Sequence, residues 1–352
     1  MRVALSMLTL VPGVSGGSET YARGVAGALA ARGTIDVTAF VPPAAPDAGE
    51  GLPTEVVTEW GGATTTAGRA LSVALATVRS RLFRRRFGGI DVVHYPLTVP
   101  VPRLDAPSVV TLHDLQHLDL PELFGRATRA YRRLAYDRAA RRAAAVVVPS
   151  EFVRERAVAL LGLDAGRVRA IPLGVDHGRF RPGPASREPF LLYPARPWPH
   201  KNHERLLEAF ALLREARPEL SLVLTGVGSE RFAGRPGVEA LGGVAGATLV
   251  DLLQRAACLV FPSRYEGFGS PPLEAMACGT PVAAARAGSI PEVCGDAAVL
   301  FDPRDPRAIA SGVEEALARS EELGAAGLER AATFTWERAA EAHEDVYRAV
   351  AE

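Results

Sequence analysis

The stretch "PFLLYPARPWPHKNHERLLEAFALLREARPELSLVLTG", residues 189–226, decides the fold. Residues 190–195 form a short apolar run, 203–216 repeat their leucines at helical spacing, and 221–225 are apolar again. Strand, helix and strand within the 36 residues 190–225 make a βαβ unit, whose two strands lie parallel in one sheet. The segment "RPWPHKN" joins the carboxyl end of the first strand to the start of the helix, which is where open α/β sheets bind ligands. It holds the one lysine of the chain, Lys201, and its one asparagine, Asn202; every other one of the 40 basic residues is arginine.

The same alternation runs along the whole chain. Strand-like runs occupy 3–10, 35–41, 91–94, 108–112, 145–148 and 167–171, and recur at 190–195, 221–225, 240–242, 258–261, 281–284 and 298–301. Helical stretches between them include 19–31, 126–144, 151–161, 203–216, 247–256, 271–278 and 309–319. Two such series predict an α/β fold with two doubly wound sheets, in keeping with a length of 352 residues. The Pro-, Gly- and Arg-rich segment "DHGRFRPGPASREP", residues 176–189, reads as the linker. A first domain is expected over 1–180 and a second over 181–335, with a last helix in 336–352 packing back on the first.

Hydrophobic residues make up 48% and charged residues 23%, an ordinary globular balance. No apolar run approaches the roughly 18–20 residues that cross a membrane as a helix. Residues 1–17, "MRVALSMLTLVPGVSGG", imitate a signal peptide but read better as a buried first strand and a turn. Cys258, Cys278 and Cys294 are odd in number and lack metal-ligand spacing, so they are expected as reduced, packed thiols in a cytoplasmic protein. Net charge is zero, yet residues 1–188 carry 24 basic against 17 acidic side chains and 189–352 carry 16 against 23. Such asymmetry points either to two domains attracting each other across a cleft or to a basic half that meets an acidic surface.

An arginine presents a planar fork to phosphate oxygens, whereas a lysine brings a compact charge on a flexible stem. In a chain so biased toward arginine, Lys201 points to a position that a guanidinium cannot fill, and with Arg196 it would hold a diphosphate. The alternative is a chance surface lysine followed by Asn202 as helix N-cap. A second constellation is "RYEGFGSPPLEAMACGTPV", residues 264–282. Glu266 follows a strand, Gly267 and Gly269 let backbone approach a ligand, and Ser270 with Pro271 begins a helix whose first turn is expected to contain Glu274. Both glutamates can face one cleft and accept hydrogen bonds from paired sugar hydroxyls, although Glu274 could equally complement the helix dipole.

Gly13, Gly16 and Gly17 do not keep the G-x-G-x-x-G spacing and read either as a phosphate loop or as a tight turn. His113 in "VVTLHDLQHLD", residues 109–119, and His94 in "DVVHYP", residues 91–96, close strands and are placed to face a cleft, although a lone histidine is more often a packed residue. There is no D-x-D triplet and no Cys/His cluster, so no metal or other cofactor is expected, and cations must neutralise the leaving group.

Together these residues resemble glycosyltransferase family 4, retaining nucleotide-sugar enzymes of GT-B architecture. The most specific part of the likeness is Glu266, seven residues, Glu274, then "MACGTPVAAARAGSIPEV" at 276–293. In order along nearly the whole chain fall Gly16, Gly17 and Glu19, His113, "IPLGVD" at 171–176, Arg196 with Lys201, and "GDAAVLFDPRDP" at 295–306. The resemblance implies two Rossmann-like doubly wound domains facing across a cleft, the first mainly for acceptor and the second mainly for donor. It implies that Arg196 and Lys201 hold the diphosphate, Glu274 the ribose, Glu266 the donor sugar, and His113 the sugar near its reacting carbon. The donor-binding set is completed by Gly16, Gly17, Gly226, Gly243, Phe268, Gly269 and Ser270. Trp198 and Pro199 depart from the family, which often has smaller polar residues there.

The implied reaction moves a hexosyl unit from a GDP- or UDP-sugar to a hydroxyl of a glycan, lipid-linked or natural-product acceptor, with retention and without a metal. No protein nucleophile stands out, so front-side attack is expected, the departing phosphate drawing the acceptor proton. A glycosidase, a non-catalytic nucleotide-sugar sensor and a non-hydrolysing sugar-nucleotide epimerase are the rivals. The segment "TLHDLQHLDLPELF", residues 111–124, looks similar to bacterial mannosyltransferase-like members that act on surface polysaccharides. The basic run "RSRLFRRRFGG", residues 79–89, beside Leu71, Leu75, Val78 and Leu82, could dock the first domain on the inner face of the plasma membrane; a solvated helix face is the commoner reading. No nucleic-acid recognition module accompanies the charge.

Overall fold

The computed structural model describes residues 1–14, 16–60, 84–183 and 186–352. They form two compact units, Met1–Gly174 with Trp336–Glu352, and Val175–Thr335. In unit 1 seven strands, β1 (Arg2–Ser6), β2 (Asp36–Val41), β3 (Thr54–Val56), β4 (Val92–Tyr95), β5 (Ser108–Thr111), β6 (Ala145–Val148) and β7 (Val168–Ala170), lie in the order β3-β2-β1-β4-β5-β6-β7. Every pairing is parallel, with Leu5 opposite Ala39 on one side and His94 on the other. β4 and β6 are buried at every residue, as strands covered on both faces must be.

Unit 2 repeats the plan. β8 (Glu188–Pro194), β9 (Ser221–Thr225), β10 (Val238–Gly242), β11 (Ala256–Phe261), β12 (Val282–Ala285) and β13 (Val299–Phe301) lie in the order β10-β9-β8-β11-β12-β13, all parallel. Each sheet reverses its direction of growth once, between β1 and β4 and between β8 and β11. Crevices that take ligands form at such reversals, beyond the carboxyl ends of the two strands. In unit 2 the loops that meet there are 195–202 and 262–269, which carry Lys201 and Glu266.

Helix boundaries follow local chemistry. α1 (Gly17–Arg32) has Glu19 in its first turn and Arg32 in its last, and it stops at Gly33 in the left-handed conformation. α2 (Glu151–Leu161) is capped by Ser150, whose Oγ accepts from the Val153 N–H at 3.2 Å. In unit 2, α3 (His203–Ala216), α4 (Gly246–Arg255) and α5 (Ser270–Ala277) follow β8, β10 and β11, and α6 (Pro306–Ala318) and α7 (Ser320–Ala332) follow β13. α8 (Trp336–Ala351) belongs to unit 1 and packs on α1 so closely that a β-carbon on Gly24 would stand 2.4 Å from the Trp336 ring.

The structure differs from the sequence reading at several places. It adds β3, the short helix Ile290–Cys294, and α7. The expected helix over 126–144 is instead Arg126–Arg132 and Arg138–Arg142 around one π-helical turn, Arg133–Asp137, which brings Asp137 within 2.9 Å of His117 Nε2. The chain changes unit between Gly174 and Val175, ahead of the expected 180/181, because the Val175 N–H bonds to the Phe334 carbonyl at 3.1 Å and Phe180 is buried. Leu71, Leu75, Val78, Leu82 and the start of the basic run lie outside the described residues, as do Ser15, Pro184 and Ala185. No helix among the described residues is long and apolar enough to cross a membrane, and all three cysteines are buried and free.

Candidate functional site

Beyond β8 the chain passes through Arg196 and one 3-10 turn, Pro199–Lys201, into α3. Tyr193 Oη donates to the Lys201 carbonyl at 2.6 Å, and the Arg264 N–H donates to the His200 carbonyl at 2.8 Å. Asn202 adopts φ 65°, a left-handed conformation that asparagine tolerates better than most residues. It is not a side-chain N-cap. Its Nδ2 donates to the carbonyls of Pro262 at 3.1 Å and Pro303 at 2.7 Å, which laces the loops after β8, β11 and β13 together. With the loop so held, Lys201 Nζ lies 2.6 Å from Glu266 Oε1, the two side chains being 15% and 14% exposed. A fully exposed pair would contribute little, but here removing one partner leaves the other charge largely desolvated and uncompensated. The Arg196 guanidinium lies 6.0 Å from the ring centre of Trp198, which is 51% exposed.

The Glu266 loop is fixed from below by Gly288 and Ser289. Ser289 Oγ donates to the Phe268 carbonyl at 2.6 Å and lies 3.1 Å from the Glu266 carbonyl. Gly288, at φ 60°, fits so tightly that a β-carbon would stand 2.7 Å from the same Glu266 oxygen. Gly269 is constrained likewise: φ is 109°, and a β-carbon would strike Ile290 Cδ1 at 2.5 Å. Phe268 is buried with its ring edge-on to Phe334, so it packs as a core residue, while Ser270 opens α5. Because α5 begins at Ser270, Glu274 falls in its second turn, not its first, and helix-dipole complementarity does not account for it. It is half-buried, and its carboxylate accepts no hydrogen bond from the described residues. Burial pushes its carboxyl up to about 7, against a downward pull from Arg179.

Gly226 and Gly243 directly follow β9 and β10 and have packing duties of their own. A β-carbon on Gly226, at φ 109°, would stand 2.7 Å from the Ala195 carbonyl carbon and 2.8 Å from the Arg196 nitrogen, and one on Gly243 would stand 3.0 Å from Val227 Cγ2. Glycine at 226 thus lets the end of β9 pass directly beneath the Arg196 backbone.

In unit 1, Gly16 and Gly17 lead into α1, and a β-carbon on either would meet nothing within 4 Å. The Glu19 carboxylate accepts from the Gly13 N–H at 2.9 Å and closes the turn. His113, two residues beyond β5, donates Nε2–H to the Pro96 carbonyl at 2.8 Å, since a carbonyl only accepts; burial lowers its pKa and leaves Nδ1 as an acceptor. His94 does not face a ligand site. It is fully buried in the central strand β4, with Nε2 at 2.8 Å from Thr111 Oγ1 and Nδ1 at 2.7 Å from Tyr347 Oη.

Lys201 and Glu266 are thus brought into direct contact, and Gly226, Phe268, Gly269 and Ser270 shape the loops around them. Gly16, Gly17 and His113 belong to unit 1. Three residues that hold the site were not singled out from sequence. Gly288 and Ser289 announce themselves only through the tight turn "AGS" before "IPE". Arg179, which acts on Glu274 and whose guanidinium lies where a β-carbon on Gly246 would be, looks in sequence like one more linker arginine. Among the described residues no three His, Cys, Asp or Glu side chains converge as a metal site.

Residues 15–179 match the family described as Glycosyltransferase Family 4, and 176–330 that described as Glycosyl transferases group 1. The O-antigen chain mannosyltransferase B of Escherichia coli is 30% identical over 272 residues, which cover 70% of this chain and 71% of that one. The chain spans about half the length of D-inositol 3-phosphate glycosyltransferases that it also matches. Among solved structures, sucrose-phosphate synthase from Thermosynechococcus elongatus shares the fold at a TM-score of 0.78 and 22% identity, over 99% of both chains. HepE of Anabaena, solved with UDP and glucose, does so at 0.73 and 18%, over 99% of this chain and 100% of that one. With its two Rossmann-like units of GT-B type, the chain belongs to glycosyltransferase family 4.

Proposed function

We propose that the chain is a retaining glycosyltransferase that moves a hexosyl unit from a nucleoside diphosphate sugar to a hydroxyl of a glycan, lipid-linked or small-molecule acceptor, without a metal ion. The observation that carries this reading is the Lys201–Glu266 pair, 2.6 Å apart at the reversal point of unit 2, with Arg196 on the same loop as the lysine. Family membership supports transfer, the mannosyltransferase relative supports a hexose, and UDP in HepE supports a nucleoside diphosphate.

In this reading unit 2 takes mainly the donor and unit 1 mainly the acceptor. An ammonium has three donors, so Lys201 can keep its bond to Glu266 and turn the others to phosphate, while the Arg196 fork takes neighbouring oxygens. Glu274, unpaired on α5, accepts from the ribose hydroxyls. Glu266 and His113 Nδ1 accept from hydroxyls of the sugar. The bond from the anomeric carbon to the phosphate oxygen breaks while one from the acceptor oxygen forms on the same face. The acceptor proton passes to the departing phosphate oxygen, so the carbon needs no protein nucleophile. Charge that grows on that phosphate meets cations already in place, and one such preorganised group is typically worth about 3–4 kcal/mol.

Lys201→Ala should therefore lower kcat by roughly 10²–10³. The assay is transfer from purified nucleoside diphosphate sugars, with product configuration read by NMR and each reaction repeated with a chelator. Near wild-type turnover in Lys201→Ala, inverted product, or dependence on added metal would each remove part of the proposal. Isomerised donor in the absence of acceptor would favour the epimerase, and sugar released from aryl glycosides without nucleotide would favour the glycosidase.

A further inference from the structure

A directed hydrogen-bond chain crosses the core of unit 1 beside His113. His343 Nδ1 lies 2.6 Å from the Ala339 carbonyl, which can only accept, so that nitrogen carries the proton and Nε2 the lone pair. Tyr21 Oη, 2.6 Å from Nε2, must donate to it. Its oxygen is then left to accept from Thr111 Oγ1 at 2.8 Å. Thr111 in turn accepts from His94 Nε2 at 2.8 Å, and His94 Nδ1 accepts from Tyr347 Oη at 2.7 Å. One backbone carbonyl thus orders every proton along five side chains. All five are buried, and burial keeps both imidazoles neutral, that of His343 pushed down to about 4 and that of His94 well below its ordinary value.

The chain draws on four elements, α1, β4, β5 and α8. Apolar residues could hold α8 in place as well or better, since buried polar groups stabilise little unless every partner is met. What the polar arrangement adds is orientation. The Tyr21 ring, its hydroxyl fixed in two hydrogen bonds, stands edge-on to the His113 imidazole, with centroids 5.1 Å apart and planes at 85°. Thr111 also accepts, at its carbonyl, a hydrogen bond of 2.7 Å from Thr98 Oγ1, in the loop whose Pro96 carbonyl receives His113 Nε2–H.

We infer that Tyr21 is a positioning residue for His113, and that α8, through His343, completes the site by fixing Tyr21. The inference rests on the assignment of His113 to the donor sugar made above. The Pro96 carbonyl sets the Nε2–H form of His113, and a tyrosine ring that cannot turn holds the plane of that imidazole so that Nδ1 stays presented as an acceptor. Without the hydroxyl, His343 Nε2 and Thr111 Oγ1 lose their shared partner and the ring is free to move.

The test uses four variants of the full chain, and a fifth for spectral assignment, at a temperature where circular dichroism shows each folded. Tyr21→Phe and His343→Leu should lower kcat about tenfold or more and leave the donor KM within about twofold. His343→Gln, whose amide oxygen can accept from Tyr21, should recover most of the loss. Tyr347→Phe removes a hydrogen bond at the far end of the chain and should keep kcat. In parallel, 15N–1H spectra of the imidazoles, with His113 identified by its absence in His113→Asn, should show the Nε2–H form in the wild type and, in Tyr21→Phe, the same form with the His113 signal shifted and broadened by motion of the ring. Wild-type kcat with an unchanged His113 signal in Tyr21→Phe would overturn the inference, as would an equal loss in Tyr347→Phe. The spectra need no substrate. If the wild type transfers no sugar, the transfer reading has failed and the His113 signal alone decides the positioning.

Discussion

Asparagine before a helix is usually read as its cap, and Asn202 invites that reading. Its amide instead serves the carbonyls of Pro262 and Pro303, far along the chain, and only placement of the β11 and β13 loops makes those partners visible. Lys201 was legible because composition isolates it, and Glu266 because Gly267 and Gly269 follow it. Ser289 was not, since a buried hydroxyl that braces a loop has no signature of type or spacing. Glu274 was legible as a residue but misplaced by a turn, and its unpaired state has a consequence for pH. Its carboxyl goes from 4.5 to about 7 on folding, so between those values the folded chain binds a proton that the unfolded chain has lost. This group's contribution to stability is present in full below the lower value and disappears as pH rises through the upper one. Calorimetry of Glu274→Gln should accordingly show a smaller fall in Tm between about pH 5 and about pH 8 than the wild type. Parallel curves would mean that burial does not hold the carboxyl up.

Helices with sharp ends were read from sequence to the residue. α2 and α3 are examples, the first set between Ser150 and Gly162 and the second between Asn202 and Arg217. α7 was not, and its glycines explain why. Gly324 and Gly327 look like breakers, yet they are where α7 closes on the segment 276–279: a β-carbon on Gly324 would stand 2.9 Å from the Gly279 carbonyl oxygen, and one on Gly327 3.2 Å from Met276 Cγ. β3 escapes for a simpler reason, since three residues at a sheet edge are too few to show alternation. The two effects of alanine at 324 oppose each other. Helix propensity would gain about 0.5–1 kcal/mol, whereas a backbone oxygen cannot move aside and overpacking costs about 1–3 kcal/mol. Gly324→Ala should therefore lose on the order of 1–2 kcal/mol in denaturant unfolding, and a gain would show that α7 can slide.

At the scale of the molecule, assigning α8 to unit 1 redraws the charge map. The sequence halves differ strongly in sign, but α8 together with Glu352 brings five acidic side chains against two basic ones. The units carry 23 basic against 20 acidic and 17 against 20, a smaller imbalance than that of the halves. Donor binding can be read as stability. A donor present at a hundredfold excess over its Kd stabilises the unit that holds it by about 2.7 kcal/mol, or roughly 5–10 °C in Tm for a unit of this size. Among nucleoside diphosphate sugars, the cognate one should shift the wild type by that amount and Lys201→Ala far less; a flat response to every sugar nucleotide would count against a donor site in unit 2.

Unit 1 is discontinuous in the chain, and this matters during synthesis. The ribosome completes all of unit 2 before it releases α8, so for that interval Gly24 waits for the Trp336 ring and the Tyr21 hydroxyl for its imidazole. A nascent polypeptide thus passes through a stage with one half finished and the other unsealed. A premature stop or a strained fusion behind residue 336 would register as a fault near the beginning of the protein, where no mutation had been made.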